Sequence, residues 1–160
     1  LVRARAEALS IPEALFSERS LHLHLPSGAI PKDGPSAGVA ITVALTSLML
    51  GKPMRDKVAM TGEISLRGRV LPVGGIKEKV LAAARAGMKE VILPQKNAGD
   101  LEEIPEHLLS ELTFHLIDRV EEALKLCLGV ELPVHPASEL TVPSSEPVVV
   151  SAPLTGSAEA

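Results

Sequence analysis

Apolar and polar residues along the chain follow two periods, one typical of strands and one typical of helices. Short apolar or strictly alternating runs bounded by turn residues predict strands over residues 21–25, 57–61, 90–93 and 113–117, and a hairpin of 64–66 with 69–73. Longer segments predict helices over residues 1–9, 39–50, 76–86 and 100–104, and a final helix that Gly129 ends. Because strands alternate with helices, the expected class is α/β or α+β, with mixed sheets and packed helices.

Glycines and one capping pattern mark where these helices begin and end. Segment 39–50 is apolar on nearly all faces, which predicts a buried helix, and Gly51 follows as its C-terminal stop. Gly74-Gly75 opens the helix over 76–86, and Gly87 closes it. Asp118 and Glu121 form a D-x-x-E pattern, which predicts the N-terminal cap of the last helix.

Composition narrows the functional classes. The 160 residues suffice for one domain, and 46% are hydrophobic, with two Phe and no Trp or Tyr, which predicts a core of Leu, Val, Ile and Ala. Scarce aromatic rings argue against stacking on single-stranded nucleic acid, and a net charge of −4 gives no basic surface for a duplex. The single cysteine, Cys127, is expected to be a small core residue. No signal peptide and no membrane-spanning apolar run is apparent, so we expect an aqueous, reducing compartment.

The predicted elements divide the chain into a folded part and a tail. Residues 1–132 carry every predicted helix and strand. Residues 133–160 are rich in Pro and Ser and offer no predicted core, which predicts a flexible C-terminal tail. The sequence begins at Leu1 inside a predicted helix, which suggests a fragment or processed product of a longer protein.

One loop carries the clearest candidate chemistry. Lys32-Asp33-Gly34-Pro35-Ser36-Ala37-Gly38 places a hydroxyl between small, turn-forming residues just before the apolar helix. A helix that begins there would direct unpaired N–H groups and partial positive charge at whatever approaches Ser36, which suits the oxyanion of acyl transfer. Three alternatives remain: Ser36 is only a helix N-cap, the loop cradles phosphate as in some small-molecule kinases, or the domain is a non-catalytic assembly domain.

A serine nucleophile needs a base, and the sequence offers histidines and lysines. His22 and His24 share one face of a predicted strand, so they are structural, line a cleft, or hold a metal, although no third ligand at a recognisable spacing accompanies them. A lysine acts as a base only when burial keeps its amine neutral. Lys77 and Lys79 begin the helix after Gly74-Gly75, and the helical pattern puts Lys77 nearer the apolar stripe without choosing between them.

Three motifs of the sequence resemble, in their order and spacing, those of a known protein family. The Ser36 loop, Met60-Thr61-Gly62-Glu63-Ile64 and Gly74-Gly75-Ile76-Lys77-Glu78-Lys79 occur in the order and spacing of the proteolytic domain of Lon, an ATP-dependent serine protease. The sequence resembles that family over residues 1–132. The resemblance implies the family's ribosomal protein S5 domain 2-like architecture, with the N-terminal strands that precede Leu1 missing.

The resemblance also implies roles for individual residues. Ser36 would attack the peptide carbonyl, and Lys79 rather than Lys77 would act as general base and then as general acid, through an acyl-enzyme intermediate. Backbone N–H groups around Ser36 would hold the oxyanion. Thr61 would orient the lysine, Asp33 would pair with it in a resting conformation, and Glu63 would lie near the site or be a strand-end carboxylate. The remaining supporting positions are Gly34, Pro35 and Ala37.

Partners follow from the resemblance as well. The family's AAA+ ATPase module lies in the same parent polypeptide, and the present sequence has no Gly-x4-Gly-Lys-Ser/Thr phosphate loop, so ATP and Mg²⁺ are expected on that module and no cofactor in this chain. Unfolded or misfolded proteins would be the substrates, in protein quality control and the stress response. The family assembles as a homohexameric ring. The bacterial cytoplasm is favoured over the mitochondrial matrix, and no membrane or nucleic-acid site is expected.

Overall fold

A parallel sheet of three strands organises the part of the chain that the computed structural model describes, residues 1–18, 20–24 and 34–132. Its strands are β1 (Val58–Met60), β4 (Glu90–Pro94) and β5 (Thr113–Ile117), in the order β1-β4-β5. A separate antiparallel hairpin contains β2 (Glu63–Ile64) and β3 (Val70–Leu71). The helices are α1 (Ala14–Glu18), α2 (Gly38–Leu50), α3 (Ile76–Arg85), α4 (Glu106–Glu111) and α5 (Val120–Leu128), with 3-10 helices at Arg3–Arg5 and Gln95–Glu103.

The central strand β4 buries side chains on both faces of the sheet. Ile92 lies in a cluster with residues of α2 and α5, whereas Val91 and Leu93 lie in a second cluster with residues of α3 and α4. Because successive strand residues point to opposite faces, the two clusters lie on opposite sides of the sheet. The result is a three-layer α/β arrangement, which confirms the predicted class.

The core of the described residues is built from aliphatic side chains, as the composition predicts. Its fully buried members include Ile92, Leu93, Ile117 and Leu124, and neither phenylalanine is among the buried residues. Cys127 is also buried, and this burial raises the pKa of its thiol. The prediction that Cys127 is a core residue is therefore confirmed. Within the described ranges, no helix is long and apolar enough to cross a membrane.

Glycines set the boundaries of the longer helices as predicted. Gly51 ends α2 with φ +60°, and Gly75 and Gly87 flank α3 with φ +69° and +73°. Backbone of this left-handed kind is open to glycine at little cost, so these positions are strong local signals. The strand predicted over 113–117 is present with those bounds, and the strands predicted over 57–61 and 90–93 and the hairpin around Gly68 are present with bounds that differ by at most two residues.

Two N-terminal predictions are wrong. Residues 1–9 form a 3-10 turn at Arg3–Arg5 and further turns rather than one helix, and Ser10 at φ +55° interrupts the helical path. Residues 21–24 form no strand despite their alternation, because no described strand lies beside them to share hydrogen bonds. His22 and His24 are exposed, and residue 25 lies outside the described ranges.

Helix α2 is less buried than its composition predicts. Val39, Val43 and Thr46 are fully buried, whereas Leu48 is 67% exposed. Only one face of the helix meets the sheet and α5, so an apolar sequence on every side does not imply burial on every side.

The last helix is capped by a different carboxylate from the one predicted. Glu122 accepts hydrogen bonds from the amides of Asp118 and Arg119, at 3.0 and 2.8 Å. The predicted capping residue, Glu121, is instead buried and faces Arg5. The pattern was shifted by one residue because the N-cap is Arg119 rather than Asp118. The sequence pattern also missed α1 and α4, and the segment predicted as a helix over 100–104 is the end of the 3-10 helix.

A buried ion pair ties the N-terminal segment to the rest of the fold. Arg5 donates from Nε and NH2 to Glu121 Oε1, at 3.0 and 2.6 Å, and Glu121 is only 4% exposed. Burial opposes ionisation of Glu121, but hydrogen bonds from its own backbone amide and from Arg5 and Arg119 hold the pKa of this carboxyl below its usual value. Gly68 lies against this pair, where a Cβ would come within 2.6 Å of Arg5 NH2.

We expect Glu121→Gln to lower the free energy of unfolding at pH 7 by about 3 kcal/mol, because Arg5 would lose its buried counter-charge. A carboxyl with a lowered pKa stabilises the fold above pH 4.5 and stops doing so as the pH falls below it. In urea unfolding, the variant and the native protein should therefore differ less in their free energy of unfolding below pH 4.5 than at pH 7. Glu122→Gln removes the same charge at an exposed position and should cost under about 1 kcal/mol. Equal effects of the two substitutions at pH 7 would contradict this account.

Candidate functional site

Ser36 lies on a tight turn that leads directly into α2. The amide of Gly38 donates to the carbonyl of Pro35 at 3.1 Å, so Ser36 and Ala37 are the two central residues of the turn. Gly34 precedes the turn with φ +82°, and Gly34 and Pro35 are exposed. Ser36 is half-buried. The predicted loop conformation is therefore present from Gly34 onward, whereas Asp33 lies outside the described residues.

The Ser36 side chain does not cap the helix. The N-cap of α2 is Ala37, and no side chain makes a capping hydrogen bond there. The alternative that Ser36 is only an N-cap residue is therefore wrong.

The backbone of Ser36 is held by the residues that follow β1. The hydroxyl of Thr61 and the amide of Gly62 both donate to the Ser36 carbonyl, at 3.2 and 2.9 Å. In return, the Gly62 carbonyl accepts from the amide of Val39 at 3.1 Å. Two segments are thus joined by three hydrogen bonds, and Thr61 itself is buried. The Thr61 hydroxyl therefore bonds to the serine loop, whereas the resemblance implies that it contacts the lysine.

Glycines permit this close approach. A Cβ on Gly62 would lie 2.8 Å from Val39 Cγ2 and 2.9 Å from Val70 Cγ1, and the residue has φ +154°. A Cβ on Gly38 would lie 3.0 Å from the amide nitrogen of Ile64. No larger side chain fits either position without displacing its neighbours, so Gly38 and Gly62 fix the distance between the start of α2 and the end of β1.

The two candidate lysines on α3 differ in their exposure to solvent. Lys77 is exposed, whereas Lys79 is half-buried beside the buried stripe of Ile76 and Val80. The prediction from the helical pattern, that Lys77 lies nearer the apolar stripe than Lys79, is therefore wrong. The Lys79 amine donates to the carbonyl of Gly74 at 2.8 Å. This hydrogen bond is exposed among the described residues.

Asn97 is a site residue that the sequence reasoning missed. It is 6% exposed, and its side chain bonds to both polar backbone groups of Val73, the residue before Gly74. An asparagine in a polar segment with no flanking motif gives no sequence signal for such a contact. Its position directly after β4, at the carboxyl edge of a parallel sheet, is the one feature that could have drawn attention to it.

Both candidate segments are attached at the carboxyl edge of the sheet. β1 and β4 are parallel neighbours with Met60 opposite Ile92, so both strands end at the same edge. Thr61, which follows β1, holds the Ser36 loop, and Asn97, which follows β4, holds the loop that leads to Lys79. The two loops are therefore attached at the same edge of the sheet, which is where open α/β sheets bind ligands.

The other predicted residues contribute less to this edge. Glu63 is half-buried at the start of β2. No cluster of three or more metal-ligating side chains occurs within the described ranges, and His22 and His24 make no hydrogen bond among them. A cleft of about 340 Å³ at the N-terminus of α3 is lined by Val73, Gly74, Gly75, Ile76, Lys77, Glu78, Asp100 and Glu103. Its three carboxylates do not suit an anionic ligand.

The phosphate-cradle alternative loses two of its donors. The amides of Gly38 and Val39 are already bonded to the carbonyls of Pro35 and Gly62, which leaves the amides of Ser36 and Ala37 in the turn. Phosphate binding at a helix start depends on several such amides facing the ligand together. The engaged amides therefore weaken the kinase-like interpretation.

Comparison with known proteins identifies the family of this α/β domain. Residues 1–130 match the family model described as the Lon protease (S16) C-terminal proteolytic domain. The chain belongs to this family, which confirms the resemblance drawn from the three motifs.

Individual relatives agree with the family match. The chain is 56% identical over 128 residues to Lon protease of Erwinia amylovora, an alignment that covers 80% of this chain and 16% of the relative. It is 55% identical over 131 residues to Lon protease of Escherichia coli strain K12, covering 82% of this chain and 17% of that protein. Lon protease 1 of Bdellovibrio bacteriovorus is 51% identical over 144 residues, covering 90% and 18%. The chain thus spans less than a fifth of the length of these relatives.

We expect Thr61→Val to destabilise the domain by about 1 kcal/mol, because the variant keeps the shape of the side chain but removes the donor to the Ser36 carbonyl. Thr46→Val is the matched control, since Thr46 is fully buried and its hydroxyl has no hydrogen-bond partner among the described residues. That control should be neutral or stabilising. Thermal unfolding of both variants tests the assignment, and a larger loss in Thr46→Val than in Thr61→Val would contradict it.

Proposed function

We propose that this chain is a serine-type endopeptidase domain in which Ser36 is the nucleophile and Lys79 is the general base. The observation that carries the proposal is the attachment of the Ser36 and Lys79 loops to the adjacent carboxyl ends of β1 and β4. Membership in the Lon proteolytic-domain family supports the same assignment. Ser36 also has no capping role that would account for a hydroxyl at this position.

The proposed reaction is acyl transfer through a covalent intermediate. Ser36 Oγ attacks the carbonyl carbon of the scissile peptide while its proton passes to the neutral amine of Lys79. The resulting ammonium gives that proton to the leaving amine as the C–N bond breaks, and an ester remains on Ser36. A water molecule then attacks the ester, Lys79 accepts the water's proton, and the proton returns to Ser36 Oγ as the acid product leaves.

The backbone of the turn supplies the proposed oxyanion donors. The amides of Gly38 and Val39 are engaged within the fold, so the amides of Ser36 and Ala37 are the candidates that remain in the loop. Both precede the first turn of α2, where the helix dipole also favours negative charge.

Lys79 must be neutral to accept a proton, and it is half-buried in the described residues. We propose that a bound substrate covers the amine and removes the water that would stabilise its charged form. The carbonyl of Gly74 then serves as the hydrogen-bond acceptor that keeps the amine in place.

The larger assembly follows from the relatives and belongs to the same proposal. Because the chain spans less than a fifth of each relative's length, we propose that it functions within a longer polypeptide that also carries an AAA+ ATPase module. That module would bind ATP and Mg²⁺ and deliver unfolded proteins to this domain in a bacterial cytoplasm. The exposed leucines of the domain, Leu48 and Leu66 among them, are available for contacts in a homohexameric ring.

Peptide cleavage tests the roles of the two residues. We expect Ser36→Ala and Lys79→Ala each to lower kcat for a fluorogenic peptide by at least about 1,000-fold in the longer protein, because the two groups act as one unit. Thermal unfolding should be nearly unchanged, since neither side chain is buried in the core.

Two substitutions serve as controls for this experiment. Lys77→Ala removes an exposed lysine two positions earlier on α3, and Ser110→Ala removes an exposed hydroxyl on α4. Both should cleave at the native rate. Full activity in Lys79→Ala, or loss of activity in Lys77→Ala, would overturn the assignment of the base. Nucleotide binding to this domain without any peptide cleavage would overturn the assignment of the function.

A further inference from the structure

Asn97 holds the backbone of Val73 as a neighbouring strand would. Its Oδ1 accepts from the Val73 amide at 3.0 Å, and its Nδ2 donates to the Val73 carbonyl at 2.9 Å. A carboxamide carries the same donor and acceptor as a peptide group, so one side chain satisfies both backbone groups at once. The side chain is 6% exposed, so each of these bonds is shielded from water.

Asp100 fixes the orientation of the Asn97 carboxamide. The Nδ2 atom of Asn97 also donates to Asp100 Oδ2 at 2.5 Å. Both residues belong to the 3-10 helix that follows β4, the central strand of the sheet. Asn97 therefore ties Val73 to the segment that follows the central strand, and Asp100 holds the Asn97 side chain in place.

The residue after Val73 carries the acceptor for the Lys79 amine. The Gly74 carbonyl lies one peptide unit beyond Val73, and it accepts from Lys79 Nζ at 2.8 Å. Gly74 and Gly75 have no side chain to hold this segment, and a Cβ on Gly74 would meet nothing within 4 Å. Packing at Gly74 therefore contributes little to the place of this carbonyl. The carbonyl is held on one side by the hydrogen bonds at Val73 and on the other by Gly75, whose carbonyl accepts from the Lys79 amide at 3.1 Å.

We propose that Asn97 is a positioning residue for Lys79, acting through the Val73 backbone and the Gly74 carbonyl. The inference rests on the proposed function, because it matters only if Lys79 is the base. Asn97 itself does not touch the substrate. It holds the acceptor that keeps the Lys79 amine in one place, and small displacements of a catalytic group are costly in rate.

The main experiment compares kcat with KM in the longer protein. We expect Asn97→Ala to lower kcat for a fluorogenic peptide on the order of 10- to 100-fold and to leave KM within about twofold. Substrate binding should be unaffected because the side chain is buried against the Val73 backbone. Gln95→Ala, at an exposed position on the same 3-10 helix, is the matched control and should retain the native kcat.

An exchanged pair separates positioning from folding. Asn97→Asp combined with Asp100→Asn restores a hydrogen bond between positions 97 and 100 and still accepts from the Val73 amide, but it removes the donor to the Val73 carbonyl. We expect this double variant to recover part of the thermal stability that Asn97→Asp loses, because the hydrogen bond between positions 97 and 100 returns while the Val73 carbonyl stays without a donor, and its kcat to stay at least 10-fold low at pH 8. If Asn97→Ala does not fold, the double variant carries the test.

The outcomes distinguish this inference from the proposed function. A native kcat in either folded variant, or a loss that disappears once the unfolded fraction is subtracted, would overturn the positioning role while Ser36→Ala remains inactive. If Ser36→Ala retained cleavage, the proposed function would fail first. A tenfold rise in KM with unchanged kcat would assign Asn97 to substrate binding and would also overturn the inference.

Discussion

The parallel pairing of β1 with β4 is the constraint on which the arrangement of the site depends. The register places Met60 opposite Ile92, and the Thr61 amide continues the pairing by donating to the Ile92 carbonyl at 3.1 Å. Both strands therefore end at one edge of the sheet, and the segment that follows each strand is hydrogen-bonded to a different loop. Neighbouring strands lie about 4.8 Å apart, so the pairing fixes where the segments that follow the two strands begin. The hydrogen bonds from Thr61 and Asn97 then tie the Ser36 turn and the Val73 backbone to these segments.

Buried polar groups and hydrophobic side chains contribute to the fold in different ways. Burial of Ile92, Leu93 and their neighbours brings the helices and the sheet together but specifies loop positions only loosely. Of the four buried polar residues in the described part of the chain, three bond to segments that packing alone does not fix: Thr61 to the Ser36 turn, Asn97 to Val73, and Glu121 to Arg5. Such bonds are costly to leave unmade in a dry interior, which gives them their specificity. The hydroxyl of the fourth residue, Thr46, has no hydrogen-bond partner among the described residues, so it does not hold any segment in place.

Sequence reasoning succeeded where a local rule decides the structure and failed where a partner decides it. Glycine at a left-handed position needs no context, so Gly51, Gly75 and Gly87 gave the ends of the helices correctly. The alternation over residues 21–25 predicted a strand, but a strand exists only beside another strand. The choice between Lys77 and Lys79 needed the direction in which α3 meets the sheet, which no helical pattern contains. Asn97 was missed for the same reason, since its role lies in contacts with a residue 24 positions away. The motifs around Ser36, Thr61 and Lys79 identified the family, whereas the hydrogen bonds that assemble the site required coordinates.

The most direct test of the central claim is a crystal structure of the longer protein with a peptide boronate bound. Boron adds reversibly to an activated serine and imitates the tetrahedral intermediate. We expect a covalent bond from boron to Ser36 Oγ, with Lys79 Nζ within hydrogen-bond distance of that oxygen and still bonded to the Gly74 carbonyl. Boron on another side chain, or Lys79 directed away from Ser36 in the complex, would contradict it.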